Sequence, residues 1–304
     1  MLKTTKNNKT SLLLLAITGF FLLTGCEKNP ANDNPPNGGG GNNGPLTERI
    51  ILDTSYGAHA QQKMDIYLPA GRNSSTKLIV LVHGGAWKAG NKSDFNPFIA
   101  LLRAKWPEAA IANINYRLAS DAQNIHHTEI MSDISAAVQF MAANKNSFAI
   151  SDTMAMTGAS AGGHLAMLYT YAHNTTNKVK CVANIFGPSV INDWSWYNSF
   201  NIWLGANVGD ILKTYTGSAW NEPLYQSVSP YSRVTASSKP TIIFHGTLDV
   251  IVPLYQSQWM NARLNTLGVP HEYHEYFLEG HGFNPTNTND CANKIVAFFK
   301  THCK

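Results

Sequence analysis

The chain has 304 residues, of which 44% are hydrophobic, 11% aromatic and only 14% charged, enough apolar material for one large α/β domain or two small ones. Its formal charge of +4 falls to +1 when Lys3, Lys6 and Lys9 of the N-terminal leader are set aside, and no basic or acidic run remains. A nucleic-acid partner calls for a clustered basic face, so that class is excluded.

Three lysines precede "SLLLLAITGFFLLTGC", an apolar stretch short and small-residue-terminated in the manner of an export signal rather than a membrane span. Leu23-Thr24-Gly25-Cys26 resembles the bacterial lipobox, in which Cys26 is lipidated and becomes the new N-terminus. An ordinary signal peptide cut elsewhere, or an uncleaved anchor, is the competing reading. The lipobox places the protein in the bacterial cell envelope, at the outer membrane or cell surface in preference to the inner membrane. Residues 27–46, "EKNPANDNPPNGGGGNNGPL", have almost no apolar side chains with which to offset ordering entropy, and read as a flexible tether. Membrane contact is then expected through the lipid anchor alone.

From residue 47 onward the pattern alternates. "RIILDTSYG" and "KMDIYLP" read as early antiparallel strands. "KLIVLVHGG", "AAIANINYRL", "TMAMTGAS", "CVANIFGP" and "PTIIFHGTLD" are short runs apolar on both faces, as the buried strands of a parallel sheet are. Between them "EIMSDISAAVQFMAANK" and "YQSQWMNARLNTLG" carry helical periodicity. The expected fold is therefore α/β, a mainly parallel central sheet flanked by helices. Residues 188–237 break the alternation and hold four of the seven tryptophans, Trp194, Trp196, Trp203 and Trp220, which suits a lid or substrate wall as well as plain aromatic packing.

Beyond Cys26 the chain has Cys181, Cys291 and Cys303, an odd number. "CANKIVAFFKTHC" looks helical, and a continuous helix would hold Cys291 and Cys303 roughly 18 Å apart. A bridge reaches only about 7 Å between Cα atoms, so a disulfide there requires the tail to fold back.

The chemistry gathers at the carboxyl ends of the strands, where such sheets place their sites. "GASAGGH" contains G-x-S-x-G, a turn so sharp that its flanks must be small and its serine, Ser160, projects from a strand end. Those five residues alone also describe a glycine-rich loop. Asp249 closes "FHGTLD", where an aspartate also serves as a helix cap, and His281 lies between glycines in "EGHGF". Together they give the order Ser, Asp, His of the α/β-hydrolase arrangement. "VLVHGGAW" follows the third strand and offers the backbone N–H groups of Gly84 and Gly85 which, with that of Ala161, suit an oxyanion hole. Ala86 stands where a fourth glycine is common, and the hole survives if φ stays negative there. His83 is expected to brace this loop, His164 to pack or cap inside the helix after Ser160, and His271 and His274 to lie on a strand.

"HGGAWKAGNKSD", "NYRLA", "GASAGGHLAMLY", "HGTLDVIVPLYQS" and "EGHGF" resemble, in this order, the blocks of α/β-hydrolase esterases, closest to the Bacteroides-type feruloyl esterase branch related to hormone-sensitive-lipase-like carboxylesterases. The resemblance spans about residues 48–303. It implies a serine carboxylic ester hydrolase that uses no metal or organic cofactor, with Ser160 as nucleophile, His281 as base and Asp249 as its orienting carboxylate. It further implies feruloyl or acetyl esters of plant polysaccharide as substrates, and Trp194, Trp196 and Trp203 of the insertion, with Trp87, would suit holding a phenolic or sugar ring. A lipase or broad short-chain esterase is the first alternative. An aryl formamidase, which would more naturally be cytosolic, and a peptidase, which would usually carry a long extra domain, stand further off, as does a catalytically dead binding protein, since all three triad residues are present.

Overall fold

Every position of Leu78–Val82, Ala110–Ile114, Met154–Ala159 and Thr241–Gly246 is buried, so these segments are interior strands covered on both faces, as suits their largely apolar runs. The computed structural model describes residues 45–304; the leader, Cys26 and residues 27–44 lie outside them. In chain order the strands are β1 (Arg49–Ser55), β2 (Lys63–Leu68), β3 (Leu78–Val82), β4 (Ala110–Ile114), β5 (Met154–Ala159), β6 (Val179–Ile185), β7 (Phe200–Asn201), β8 (Ala206–Asn207), β9 (Thr241–Gly246) and β10 (His271–Tyr276). The helices are α1 (Asn96–Lys105), α2 (His127–Ala143), α3 (Lys145–Phe148), α4 (Ala161–Leu168), α5 (Trp194–Tyr197), α6 (Val208–Thr216), α7 (Glu222–Ser227), α8 (Pro230–Arg233), α9 (Leu254–Thr266) and α10 (Pro285–His302).

Eight strands form one sheet in the order β1-β2-β4-β3-β5-β6-β9-β10. β2 runs antiparallel to both of its neighbours, β1 and β4, and the six strands from β4 to β10 in that order pair in parallel. This is the mainly parallel, helix-flanked sheet expected from the alternation of apolar runs and amphipathic stretches, and it is of the α/β-hydrolase type that the sequence resemblance implies. Period-two alternation divides the core: Leu78, Val80 and Val82 face α2 and α4, whereas Ile79 and Leu81 face Phe98 and Leu102 of α1 and Ile295 and Phe299 of α10.

β3 sends its chain outward to β4, and β5 returns on its other side, so the ends of β3 and β5 lie at a topological switch point. Val82 is paired with Gly158 there, bringing the His83–Trp87 turn beside Ser160. The stretch between β6 and β9 is built of α5, the two-residue strands β7 and β8, and α6 to α8.

No tail folds back to make the Cys291–Cys303 bridge: α10 runs unbroken to His302, and all three described cysteines are free. Cys303 meets Cys181 of β6 instead.

Candidate active site

Ser160 sits between β5 and α4 with φ +55° and ψ −126°, a conformation that a non-glycine residue holds only when its surroundings enforce it. The small flanks do the enforcing. A Cβ on Gly158 would run into the Gly162 backbone, and one on Gly162 into the Val82 carbonyl. Larger residues would push α4 off the sheet and relax the turn that lifts Ser160.

His281 Nε2 lies 2.8 Å from Ser160 Oγ, and His281 Nδ1 lies 2.7 Å from Asp249 Oδ2. A carboxylate can only accept, so Nδ1 carries the ring proton and Nε2 is left to accept from the serine hydroxyl. Asp249 Oδ1 accepts from the N–H groups of Ile251 at 2.8 Å and Val252 at 2.9 Å, which fixes the carboxylate plane. Burial works to raise the Asp249 pKa, but His281 and His245 overcome it and hold the carboxyl well below the usual range. Phe186 packs on the His281 ring at 4.7 Å between centroids.

Sequence reasoning passed over His245. This fully buried ring has Nε2 3.2 Å from Asp249 Oδ2 and 3.0 Å from the Val252 carbonyl, while Nδ1 meets Ser257 Oγ at 2.7 Å. Both Nε2 partners are acceptors, so Nε2–H donates and Nδ1 accepts from Ser257. His245 thus ties Asp249 to both the loop after it and α9. Its place four residues before Asp249 in "FHGTLD" was the available signal.

At the end of β3, His83 behaves as the brace expected of it. Its Nδ1–H donates to the Gly84 carbonyl at 2.7 Å, its ring stacks on Tyr116 at 4.3 Å, and Tyr116 Oη donates to the His83 carbonyl at 3.0 Å. Burial lowers the His83 pKa to about 4, so the ring is neutral. In the turn beyond, φ is +112° at Gly85, +51° at Ala86 and +61° at Trp87, so the condition of negative φ at Ala86 is not met, and whether the turn can serve as an oxyanion hole rests instead on where its N–H groups are left. The Gly85 carbonyl accepts from both Lys88 and Ala89 N–H, which winds the turn left-handed and brings Ala86 to the cavity beside Ser160. Ala86 and Ala161 line that cavity; Gly84 instead packs under Ser160, where a Cβ would come 3.2 Å from the serine Cβ. The N–H groups of Gly84, Gly85, Ala86 and Ala161 enter none of the loop hydrogen bonds among the described residues.

The cavity is small, about 30 Å³, and almost wholly apolar, walled by Trp87, Trp196, Leu204, Leu212 and Ile251 among others. Trp87 is pinned rather than mobile: its Nε1–H donates to His164 Nδ1 at 3.2 Å and its ring stacks on Tyr215. His164 in turn donates from Nε2 to the Val228 carbonyl at 2.8 Å, the packing role expected of it. Trp196 is positioned by Asp193, whose Oδ1 caps α5 at Ser195 and Trp196 N–H while Oδ2 accepts from Tyr255 Oη. The other two tryptophans do not reach this cavity. Trp194 stacks on Tyr197 and meets Trp220 edge-on, packing the insertion against itself with half its surface in solvent. Trp203 lines a separate outer cavity of about 270 Å³ with Phe200, Ile202 and Val250.

The sequence model of the BD-FAE family matches residues 64–264, well over half of the chain and all of it from β2 to α9. The chain belongs to the BD-FAE family. The matched span carries Ser160, Asp249 and the HGG turn, while His281 falls beyond its end. Among relatives of this family member are Dipeptidyl aminopeptidase BIII of Pseudoxanthomonas mexicana, 26% identical over 86% of this chain and 37% of the relative, and Esterase LipC of Mycobacterium tuberculosis, 25% identical over 80% and 63%. Isoprenylcysteine alpha-carbonyl methylesterase ICME of Arabidopsis thaliana is 24% identical over 75% and 55%. The chain thus spans between about a third and two thirds of these curated relatives. Among solved structures, a bifunctional GH43-CE protein of Bacteroides eggerthii superposes with a TM-score of 0.70 at 24% identity, covering 83% of this chain and 38% of that one. A truncated carbohydrate esterase from gut microbiota superposes with a TM-score of 0.68 at 20% identity, over 84% and 98%. Likenesses at these identities establish the shared fold.

Proposed function

We propose that this BD-FAE family member is a serine carboxylic ester hydrolase acting on acetyl or feruloyl esters of plant polysaccharide. The observation that carries the reading is the continuous chain of hydrogen bonds from Asp249 through His281 to Ser160 at a strained strand-to-helix turn. Ser160 Oγ attacks the ester carbonyl carbon as His281 Nε2 takes its proton. The developing oxyanion is received by the N–H of Ala161, at the positive end of α4, together with N–H groups of the Gly84–Ala86 turn. His281 then returns the proton to the leaving alkoxide, leaving Ser160 acylated. Water, activated by the same ring, releases the acid. Asp249 stays ionised throughout and steadies the imidazolium. The esterase names among the relatives, and the carbohydrate-esterase titles among the structures, support this class of substrate.

The test is a panel of p-nitrophenyl acetate, methyl ferulate, acetylated xylan and an aminoacyl p-nitroanilide, with a fluorophosphonate probe read by mass spectrometry. Ester turnover with the probe on Ser160 is expected. Turnover of the anilide alone would replace the reading with a peptidase, as one relative's name invites. Lipid attachment at Cys26 is part of the same proposal: Cys26→Ser in the full-length chain should abolish acyl labelling and membrane fractionation while leaving specific activity unchanged. Unaltered fractionation would leave an uncleaved leader as the anchor.

A further inference from the structure

Two cavities adjoin across Trp196 and Ile251. The one at Ser160 and the outer one beside Trp203 share two lining residues, Trp196 and Ile251. Trp196 is 7% exposed, and its Nε1–H donates to the Ile251 carbonyl at 3.2 Å, closing the gap between α5 and the loop that follows Asp249. A second strut lies alongside, where Asn201 Nδ2–H donates to the Val250 carbonyl at 2.7 Å. With the Asp193 cap at its backbone, the indole is held at both ends, as a fixed wall rather than a swinging gate.

Which part of the substrate meets that wall follows from the proton path. The leaving alkoxide must lie within reach of His281 Nε2, so the alcohol departs on the His281 side of Ser160. The small cavity touches Ser160, Ala161 and Ala86 but has neither His281 nor Phe186 in its lining. It therefore receives the acyl group. At about 30 Å³ it is roughly a ninth the size of the outer cavity's 270 Å³, and its wall on that side is the Trp196 indole. So narrow a space suits the methyl of an acetyl ester or the ethyl of a propionyl ester better than a longer chain or a phenyl ring. Space of the size needed, about 270 Å³, lies just across the Trp196 indole.

We infer that Trp196 is the specificity-determining residue of the acyl site, partitioning it from the outer cavity and restricting the enzyme to acetyl and other very short acyl esters. The inference rests on the ester-hydrolase reading above and narrows it: of the two acyl classes proposed, acetyl is turned over and feruloyl excluded. Polysaccharide or other bulk belongs on the alcohol side, beside His281, whose side chain keeps about 10% of its surface exposed. Removing the indole joins the two cavities and admits long or aromatic acyl groups.

The experiment keeps the alcohol constant and varies only the acyl group, with p-nitrophenyl acetate, propionate, hexanoate and benzoate. For the wild type, kcat/KM for hexanoate and benzoate should fall about 100-fold or more below acetate, the scale on which pockets reject surplus groups. In Trp196→Ala the hexanoate-to-acetate and benzoate-to-acetate ratios should rise about tenfold or more, mainly through KM, with Trp196→Phe between. Trp196→Leu, which keeps apolar packing, serves if the alanine variant does not fold, and should raise the same ratios. A flat wild-type profile, or variants that lower all four esters equally, would overturn the partition while leaving an esterase. Failure of the wild type to hydrolyse any of the four, or undiminished hydrolysis by Ser160→Ala, would remove the esterase reading itself and the partition with it.

Discussion

At the scale of single residues the site depends on which atom holds which proton. Ser160→Ala removes the nucleophile and should lower kcat for p-nitrophenyl acetate by about 10⁶ with little change in fold, as judged by circular dichroism. Asp249→Asn makes a sharper test of the geometry. The Ile251 and Val252 N–H groups claim the carbonyl oxygen of the amide at the Oδ1 position, so the amide NH₂ must take the place of Oδ2. There it would face Nδ1–H of His281 and Nε2–H of His245, donor against donor. His281 escapes by moving its proton to Nε2, where it can no longer accept from Ser160. A loss of about 10⁴ in kcat is expected, and a loss under about tenfold would mean that the carboxylate does not orient the ring.

At the scale of elements, α2 is fastened by one buried carboxylate. Asp133 is fully buried and accepts from Arg117 N, Nε and Nη2 and from Gln62 Nε2, so it binds α2 to the loop after β4 and to the turn before β2. Taking away the carboxylate costs Arg117 and Gln62, both only partly buried, its acceptor oxygens, although Arg117 Nη2 still donates to the Glu129 carbonyl. Asp133→Ala should therefore cost about 2–3 kcal/mol in urea unfolding, and Asp133→Asn less, since the amide oxygen still accepts. A change within about 0.5 kcal/mol would show the network to be replaceable by water. The insertion is fastened differently, by the two donors Trp196 and Asn201 to consecutive carbonyls, which is why it belongs to the acyl site and not only to the surface.

At the scale of the whole molecule, two buried imidazoles couple stability to pH. Burial lowers both His83 and His164 to about 4 from the ordinary 6.5. The unfolded chain takes up these protons as pH falls through 6.5, whereas the folded protein does not until about 4. Stability is thus complete above 6.5 and declines between 6.5 and 4, by up to roughly 3 kcal/mol per histidine. Thermal melting followed from pH 7.5 to 4.5 should show this decline. His164→Gln, whose amide can accept from Trp87 and donate to the Val228 carbonyl, should flatten it; an unchanged slope would assign the decline to other groups.

The architecture was legible in the sequence because its signals are local. Runs apolar on both faces mark strands covered by helices, and small residues around Ser160 mark a turn that admits no side chain. The family resemblance lay in contiguous blocks for the same reason. Less could be read where a residue's role depends on a partner distant in the chain. His245 passed unnoticed because a histidine on a buried strand has no local mark of touching a carboxylate. The positive φ of Ala86 was not legible because the left-handed winding comes from hydrogen bonds onto Gly85 that its own neighbours do not announce. The four candidate tryptophans looked alike in sequence. Packing separates them: Trp87 pinned on His164, Trp194 folded into the insertion, Trp203 on the outer cavity and Trp196 between the two cavities. Local pattern alone determined the sheet, the sharp turn and the order of Ser160, Asp249 and His281. Tertiary structure alone decided which side chain bounds the acyl pocket, because a cavity is what remains after segments far apart in sequence have packed.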